Sequence, residues 1–361
     1  VKILQVINSL ATGGAEKLLL ETLPIYNERG IHMDLLVLNG SNVPFMAELK
    51  ALDCCTIYSL GTDSVYNPLN IFKIIPYLKQ YDLIHVHLFP AQYWVALAKI
   101  ISFSKVKLIF TEHSTSNRRI ENNVLVRLID KFFYRRYDKI ICITPEVLAV
   151  QVNHTQMPPQ KFEVIANGVN ISKVRNAEAL PKIFFLPEND AKIVIQVSSF
   201  QEPKDQATLI YALALLPDNV KLILIGDGIM KKDAETLVAK LGLEKRVVFL
   251  GLRMDVPQLL KMADIVVLSS KYEGLSLSSI EGMASGKPFI ASNVPGLKEI
   301  VNGAGILFPA GNAKQLAEEI SLLLANPNHY HSVAEACQQR ASEYDIHKMI
   351  EQHIKLYNSF T

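Results

Sequence analysis

Two carboxylates eight residues apart, Glu273 and Glu281, bracket the stretch of this chain best suited to chemistry. Between them run Gly274, Leu275, Ser276, Leu277, Ser278, Ser279 and Ile280, small and polar at first. The pattern then turns apolar at helical spacing through Ala284, with Gly286 placed to stop a helix. The preceding I-V-V-L run, Ile265 to Leu268, reads as a buried parallel strand, and Ser269 and Ser270 follow it. A strand, a glycine turn and a helix start leave the N–H groups of Gly274, Leu275, Ser276 and Leu277 pointing outward. The helix dipole favours an anion there, and a diphosphate fits. Carboxylates repel phosphate but accept hydrogen bonds from hydroxyls, so Glu273 and Glu281 suit a sugar and a ribose on either side of it. The competing reading is an ordinary strand–turn–helix with two solvated glutamates.

Other candidates also sit where strands end. Gly13 and Gly14 follow the first strand and open a helix, which lets backbone approach a ligand closely or merely makes a tight turn. The spacing G-x-G-x-x-G is absent, which argues against a nicotinamide enzyme. His113 closes a strand in I-F-T-E-H-S, as a site residue or as a loop histidine with its hydrogen bonds satisfied. His85 and His87 share one face of a strand. They read as packing or cleft-lining residues, or as half of a metal site with no third ligand nearby.

The run E-G-L-S-L-S-S-I-E-G-M-A-S-G-K-P resembles the E-x7-E segment of the retaining GT-B glycosyltransferases of family 4. The resemblance spans nearly the whole chain, strong over 190–310 and thin over 30–110, the part that builds the acceptor site. It implies an α/β fold of GT-B type: two Rossmann-like, doubly wound parallel-sheet domains facing a central cleft. Residues 1–168 would be the acceptor domain and 169–343 the nucleotide-sugar donor domain, with a crossover helix over 344–361 bracing the first. It also implies Lys204 on the diphosphate and His113 on the transferred sugar, so that Glu273, His113 and Lys204 carry catalysis and Glu281 holds the ribose. Gly13 and Gly14 would lie near the sugar and acceptor, and the backbone of Leu250 and Gly251 against the nucleobase. Where the family often has a phosphate-binding arginine this chain has Ser199, and Arg253 is put forward to replace that cation. Gly296 and Glu299 resemble a turn of structural role.

The reaction implied is transfer from a UDP- or GDP-linked sugar to a hydroxyl acceptor, a glycan or polyprenyl-linked intermediate of envelope polysaccharide synthesis. No cofactor is expected, and no metal, because no Asp-x-Asp motif occurs and fixed donors can serve instead. Two alternatives stand beside it: a nucleotide-sugar epimerase of GT-B shape, and a non-catalytic nucleotide-sugar-binding subunit, which Ser199 leaves open.

The elements that must position these residues alternate between strand and helix patterns, twice over. Strands are expected at 2–7, 34–38, 55–58, 83–86, 108–111, 139–143 and 163–165. Helices are expected near 14–28, 44–52, 68–80, 90–102, 122–136 and 145–156. After A-N-G-V-N at Ala166 to Asn170, loose linker is expected to about Pro187. A second series follows, with strands at 192–197, 221–225, 247–249, 265–268, 288–291 and 306–308, and helices near 205–216, 229–241, 255–263, 277–285 and 313–325. A helical tail covers 328–341 and 346–359. Such alternation means parallel sheets covered on both faces, with ligands beyond the carboxyl ends of the strands.

Length and charge narrow the field further. A chain of 361 residues is too long for one core. Its 37 Lys plus Arg against 35 Asp plus Glu point to no nucleic-acid partner. No apolar run reaches the ~20 residues of a membrane span. The N-terminal V-K-I-L-Q-V-I-N-S reads as a strand without a signal-peptide pattern, and four cysteines without C-x-x-C spacing suit reducing cytosol. Residues 118–139 mix Arg118, Arg119, Arg127, Lys131, Arg135, Arg136 and Lys139 with Val124, Leu125, Leu128, Ile129, Phe132 and Phe133. That is either a basic amphipathic helix for an anionic membrane face or a core-facing helix with solvated arginines.

Overall fold

Strands β1 (Ile3–Ile7), β2 (Met33–Val37) and β4 (Leu83–His87) are buried at every position. That pattern belongs to parallel strands covered on both faces. With β3 (Ile57–Ser59), β5 (Lys107–Glu112), β6 (Lys139–Cys142) and β7 (Phe162–Val164) they form one parallel sheet in the order β3-β2-β1-β4-β5-β6-β7. A second parallel sheet comprises β8 (Lys192–Val197), β9 (Val220–Ile225), β10 (Val247–Gly251), β11 (Ile265–Leu268), β12 (Phe289–Ser292) and β13 (Ile306–Phe308). Its order is β10-β9-β8-β11-β12-β13. Both are the doubly wound arrangement, whose order reverses between β1 and β4 in one sheet and between β8 and β11 in the other. Ligands collect beyond the strand ends at such a reversal. The computed structural model describes residues 1–113, 124–185 and 190–360.

The chain divides into two compact units, Val1–Gly168 with Ile346–Thr361, and Val169–Asp345. The last helix, Ile346–Asn358, belongs to the first unit because it buries Ile346, Met349, Ile350, Leu356 and Tyr357 in the cluster that contains Ile3, Ile7, Leu18 and Leu23. Each such side chain stabilises the unit by about 1.5–3 kcal/mol.

Two expectations need correction, and a third, left open between two readings, is narrowed. The helix expected over 68–80 is a short one, Asn70–Ile74, and a 3-10 turn, Tyr77–Lys79. Pro76 lies between them and supplies no N–H to continue the first. The expected loose linker contains the helix Ile171–Arg175, whose cap Asn170 accepts from Lys173 N–H at 2.9 Å, and the 3-10 turn Lys182–Phe184; Pro187 lies outside the described residues. The third concerns residues 118–139. Helix Val124–Tyr134 exposes Leu125, Leu128 and Phe132 (65, 57 and 46%) and buries Asp130 and Tyr134 (2 and 1%). Leu125, Leu128 and Phe132 therefore do not face the core. Arg127, Arg135 and Arg136 are exposed beside them, while Arg118 and Arg119 lie outside the described residues. No helix among the described residues is long and apolar enough to cross a membrane.

Candidate active site

At the reversal of the second sheet, the loops after β8 and β11 bring two expected site residues into contact. Lys204 Nζ donates to both carboxylate oxygens of Glu273, at 2.6 and 2.7 Å, and Ser270 Oγ donates to Oε1 at 2.6 Å. The sequence assigned Lys204 and Glu273 separate partners; here each is the other's. The Glu273 side chain is 8% exposed, so it is not a solvated glutamate.

The loops are held by amides that sequence reasoning overlooked. Gln196 on β8 accepts from Ser269 Oγ at 2.9 Å and donates to Ser198 Oγ at 3.0 Å and Lys204 O at 3.1 Å. Gln206 donates to Ser199 O at 2.9 Å, and Ser269 Oγ also lies 2.8 Å from Asp205 O. A buried glutamine next to the end of a buried strand is the signal that could have found Gln196, because a buried amide needs partners.

Beyond Glu273 the chain turns into helix Leu277–Ala284. Its cap is Ser276, whose Oγ accepts from Ser279 N–H at 3.4 Å. The N–H groups of Gly274, Leu275, Ser276 and Leu277 donate to no described residue. The turn is clamped from behind by Gly296, at φ +84°. A Cβ there would meet Glu273 O at 2.3 Å and Gly274 O at 2.4 Å, so only glycine permits this approach. Glu299 accepts from Gly296 N–H at 2.7 Å, a structural role as expected.

Glu281 lies within the same helix and is 4% exposed. Ser199 is exposed in the loop after β8. Leu250 is the extra residue of a bulge on β10: Phe249 pairs with Leu224 and Gly251 with Ile225, leaving Leu250 without a register partner. Gly251 O accepts from Gly226 N–H at 2.8 Å. Arg253 is bound in a fork by Asp255, with Nε donating at 2.8 Å and Nη2 at 2.5 Å. Each holds the other's charge: the carboxylate raises the pKa of Arg253 and the guanidinium lowers that of Asp255. The guanidinium put forward as a free phosphate cation is thus already paired.

In the first unit Gly13 caps helix Gly14–Glu28 in extended conformation, and the Glu16 carboxylate folds back over it. Burial raises the pKa of Glu16. The start of this helix is therefore covered by a carboxylate from its own first turn.

His113, at the end of β5, joins a buried polar network. Its Nε2 lies 3.1 Å from His87 Nδ1, and its Nδ1 lies 3.5 Å from Asn167 Nδ2. His87 Nε2 is 2.8 Å from Gln5 Oε1. His85 reaches Tyr357 OH at 2.8 Å and Thr111 Oγ1 at 2.6 Å. All four ring nitrogens of His85 and His87 have hydrogen-bond partners, which displaces the metal-pair reading. Burial pushes the pKa of both rings well below the usual histidine value, and that of His113 to about 4. These imidazoles are neutral at pH 7.

Comparison with known proteins agrees with this geometry. Residues 12–173 match the family model described as Glycosyltransferase Family 4, and residues 179–340 that of Glycosyl transferases group 1. The chain is 26% identical over 285 residues to the N-acetyl-alpha-D-glucosaminyl L-malate synthase of Bacillus anthracis, covering 76% of this chain and 74% of that one. It is 23% identical over 369 residues, 97% of each chain, to a Campylobacter jejuni enzyme. That relative is N-acetylgalactosamine-N,N'-diacetylbacillosaminyl-diphospho-undecaprenol 4-alpha-N-acetylgalactosaminyltransferase. In structure it is similar to Anabaena Alr3699/HepE in complex with UDP-glucose, with a TM-score of 0.84 at 24% identity over 99% of both chains. The chain belongs to the glycosyltransferases of family 4 and has their GT-B fold.

Proposed function

We propose that this protein transfers a sugar from a nucleotide diphospho-sugar, UDP- or GDP-linked, to a hydroxyl acceptor, with retention at the anomeric carbon and without a metal. The observation that carries this reading is the Lys204–Glu273–Ser270 cluster standing beside four uncommitted N–H groups at a helix start. Breaking the anomeric C–O bond puts negative charge on the departing diphosphate. Lys204 and the amides from Gly274 to Leu277 are fixed donors for that charge, and donors of this kind are worth roughly 3–4 kcal/mol each in the transition state. When the diphosphate draws Lys204 away, Glu273 is released to accept from sugar hydroxyls. Glu281 takes the ribose, the Leu250 bulge the nucleobase, and His113 a sugar hydroxyl. The acceptor hydroxyl attacks on the face the diphosphate leaves, and the departing phosphate oxygen takes its proton.

The relatives support the substrate classes. One Escherichia coli relative, 25% identical over 241 residues, is named a UDP-Gal:alpha-D-GlcNAc-diphosphoundecaprenol alpha-1,3-galactosyltransferase. That relative supports the reading of a lipid-linked acceptor of envelope polysaccharide synthesis for this chain. The exposed Leu125, Leu128 and Phe132, with Arg127, Arg135 and Arg136 alongside, suit contact with the anionic membrane face carrying such an acceptor.

A melting-temperature screen with UDP-glucose, UDP-galactose, UDP-N-acetylglucosamine and GDP-mannose identifies the donor, since a ligand of the folded state alone raises the transition. Turnover of that donor by Glu273→Ala then decides the site. A loss of about 10²–10³ is expected, and activity near wild type would remove Glu273 from it. Sedimentation with phosphatidylglycerol vesicles, abolished in Leu128→Asp/Phe132→Asp, tests the membrane contact; wild-type protein left in the supernatant rejects it.

A further inference from the structure

The polar chain behind His113 has a direction, and the direction is fixed at its far end. Gln5 lies on β1 with its amide nitrogen 3.1 Å from Met33 Sδ and 3.4 Å from Tyr357 OH. A thioether sulfur accepts and cannot donate, so the Gln5 NH2 group faces Met33. Its carbonyl oxygen must then face His87, where it can only accept. His87 Nε2, 2.8 Å away, therefore carries the hydrogen. A neutral imidazole protonated at Nε2 is bare at Nδ1. That nitrogen, 3.1 Å from His113 Nε2, must receive a hydrogen from it. His113 is in turn bare at Nδ1, which among the described residues meets only the Asn167 amide nitrogen at 3.5 Å, the outer limit of a hydrogen bond. The reverse order would set the Gln5 carbonyl against Met33 Sδ, two acceptors 3.1 Å apart. A doubly protonated ring would bury an unpaired charge.

We propose that Gln5 and His87 are positioning residues that hold His113 in one tautomer, Nε2 protonated and Nδ1 bare, so that the ring offers a sugar hydroxyl an acceptor and nothing to donate. The sugar contact rests on the function proposed above; the tautomer does not. Its consequence is chemical. His113 cannot serve as a proton donor to the leaving phosphate, and it favours a donor sugar whose hydroxyl can give a hydrogen bond over one lacking that hydroxyl.

Long-range proton–nitrogen correlation spectra of the full chain with nitrogen-15 histidine, at pH 7.5, read the tautomer directly. His113 is expected to show a protonated Nε2 and an unprotonated Nδ1; a protonated Nδ1 overturns the proposal. In Gln5→Leu the ring should pass to a mixture of tautomers, with transfer slowed about three- to tenfold, the worth of one hydrogen bond. An unchanged His113 spectrum in a folded Gln5→Leu also overturns the proposal, and if that variant does not fold the wild-type spectrum decides alone. Full turnover by His113→Ala would instead remove the sugar contact and leave the tautomer standing.

Discussion

Each sheet carries a buried glutamine in its first strand, Gln5 on β1 and Gln196 on β8, and each glutamine spans the reversal of strand order. The two crossings are built differently. Gln5 meets His87, and the crossing continues through His113; its partners are rings that can gain a proton. Gln196 meets the hydroxyls of Ser198 and Ser269, which do not titrate in the working range. The charge in the second unit is carried beyond the glutamine, by Lys204 and Glu273 on the loops. The same fold therefore supports a neutral, proton-sensitive crossing in one unit and an ionic one in the other.

Acid should separate them, and this is the largest effect expected. An unfolded histidine takes a proton near pH 6.5. In the folded protein His113 does so only near 4 and His353 near 3, and His85 and His87 well below the usual value, all chiefly through burial. Between those values the unfolded chain binds more protons than the folded one, so stability falls as pH falls from about 6.5 to about 4. Each histidine contributes about 1.4 kcal/mol per pH unit, so the four together cost about 5.5 over one unit, comparable to the whole stability of a marginal domain. The single tryptophan, Trp94, lies in the first unit, so its fluorescence reports that unit alone. Its transition should come at higher pH than the loss of the remaining circular dichroism. Coincident transitions, or a second unit that opens first, would break the comparison.

Next in size is the ionic crossing. Lys204→Ala should slow turnover by about 10²–10³. If the resting pair separates so that Lys204 meets the diphosphate and Glu273 the sugar, the double variant with Glu273→Ala should lose close to the sum of the two single losses. A double variant no slower than the slower single one would mean that the two act as one unit and would count against that separation.

That contrast also marks what the sequence can and cannot convey. The buried parallel strands follow from local signals, because apolar runs such as Val220–Ile225 and Ile265–Leu268 have little choice but that conformation. The glycine turn and helix start after Glu273 are equally local, and they were legible. Contacts between distant residues were not. Lys204 and Glu273 are 69 positions apart and His113 and His87 are 26 apart; only the folded sheet brings each pair together. The helix Val124–Tyr134 shows the same limit, since periodicity reveals an apolar stripe but not which side of it meets the core.

The smallest effect concerns Arg253, proposed from sequence to replace the cation missing at Ser199. Its guanidinium and Asp255 form a fork with side chains 35 and 29% exposed. An ion pair this exposed stabilises the fold by about 0–1 kcal/mol. To reach a diphosphate the guanidinium would have to leave a partner that already satisfies two of its donors, exchanging one anion for another. Arg253→Ala should therefore lower the melting temperature only slightly and change kcat/KM for the donor by less than about fivefold, the rate equivalent of 1 kcal/mol. A loss of a hundredfold would mean that the donor pulls Arg253 off Asp255. Asp255→Ala would then tighten donor binding, because it frees the same guanidinium. Without that gain, Lys204 and the helix amides carry the diphosphate, and the serine at position 199 costs the site little.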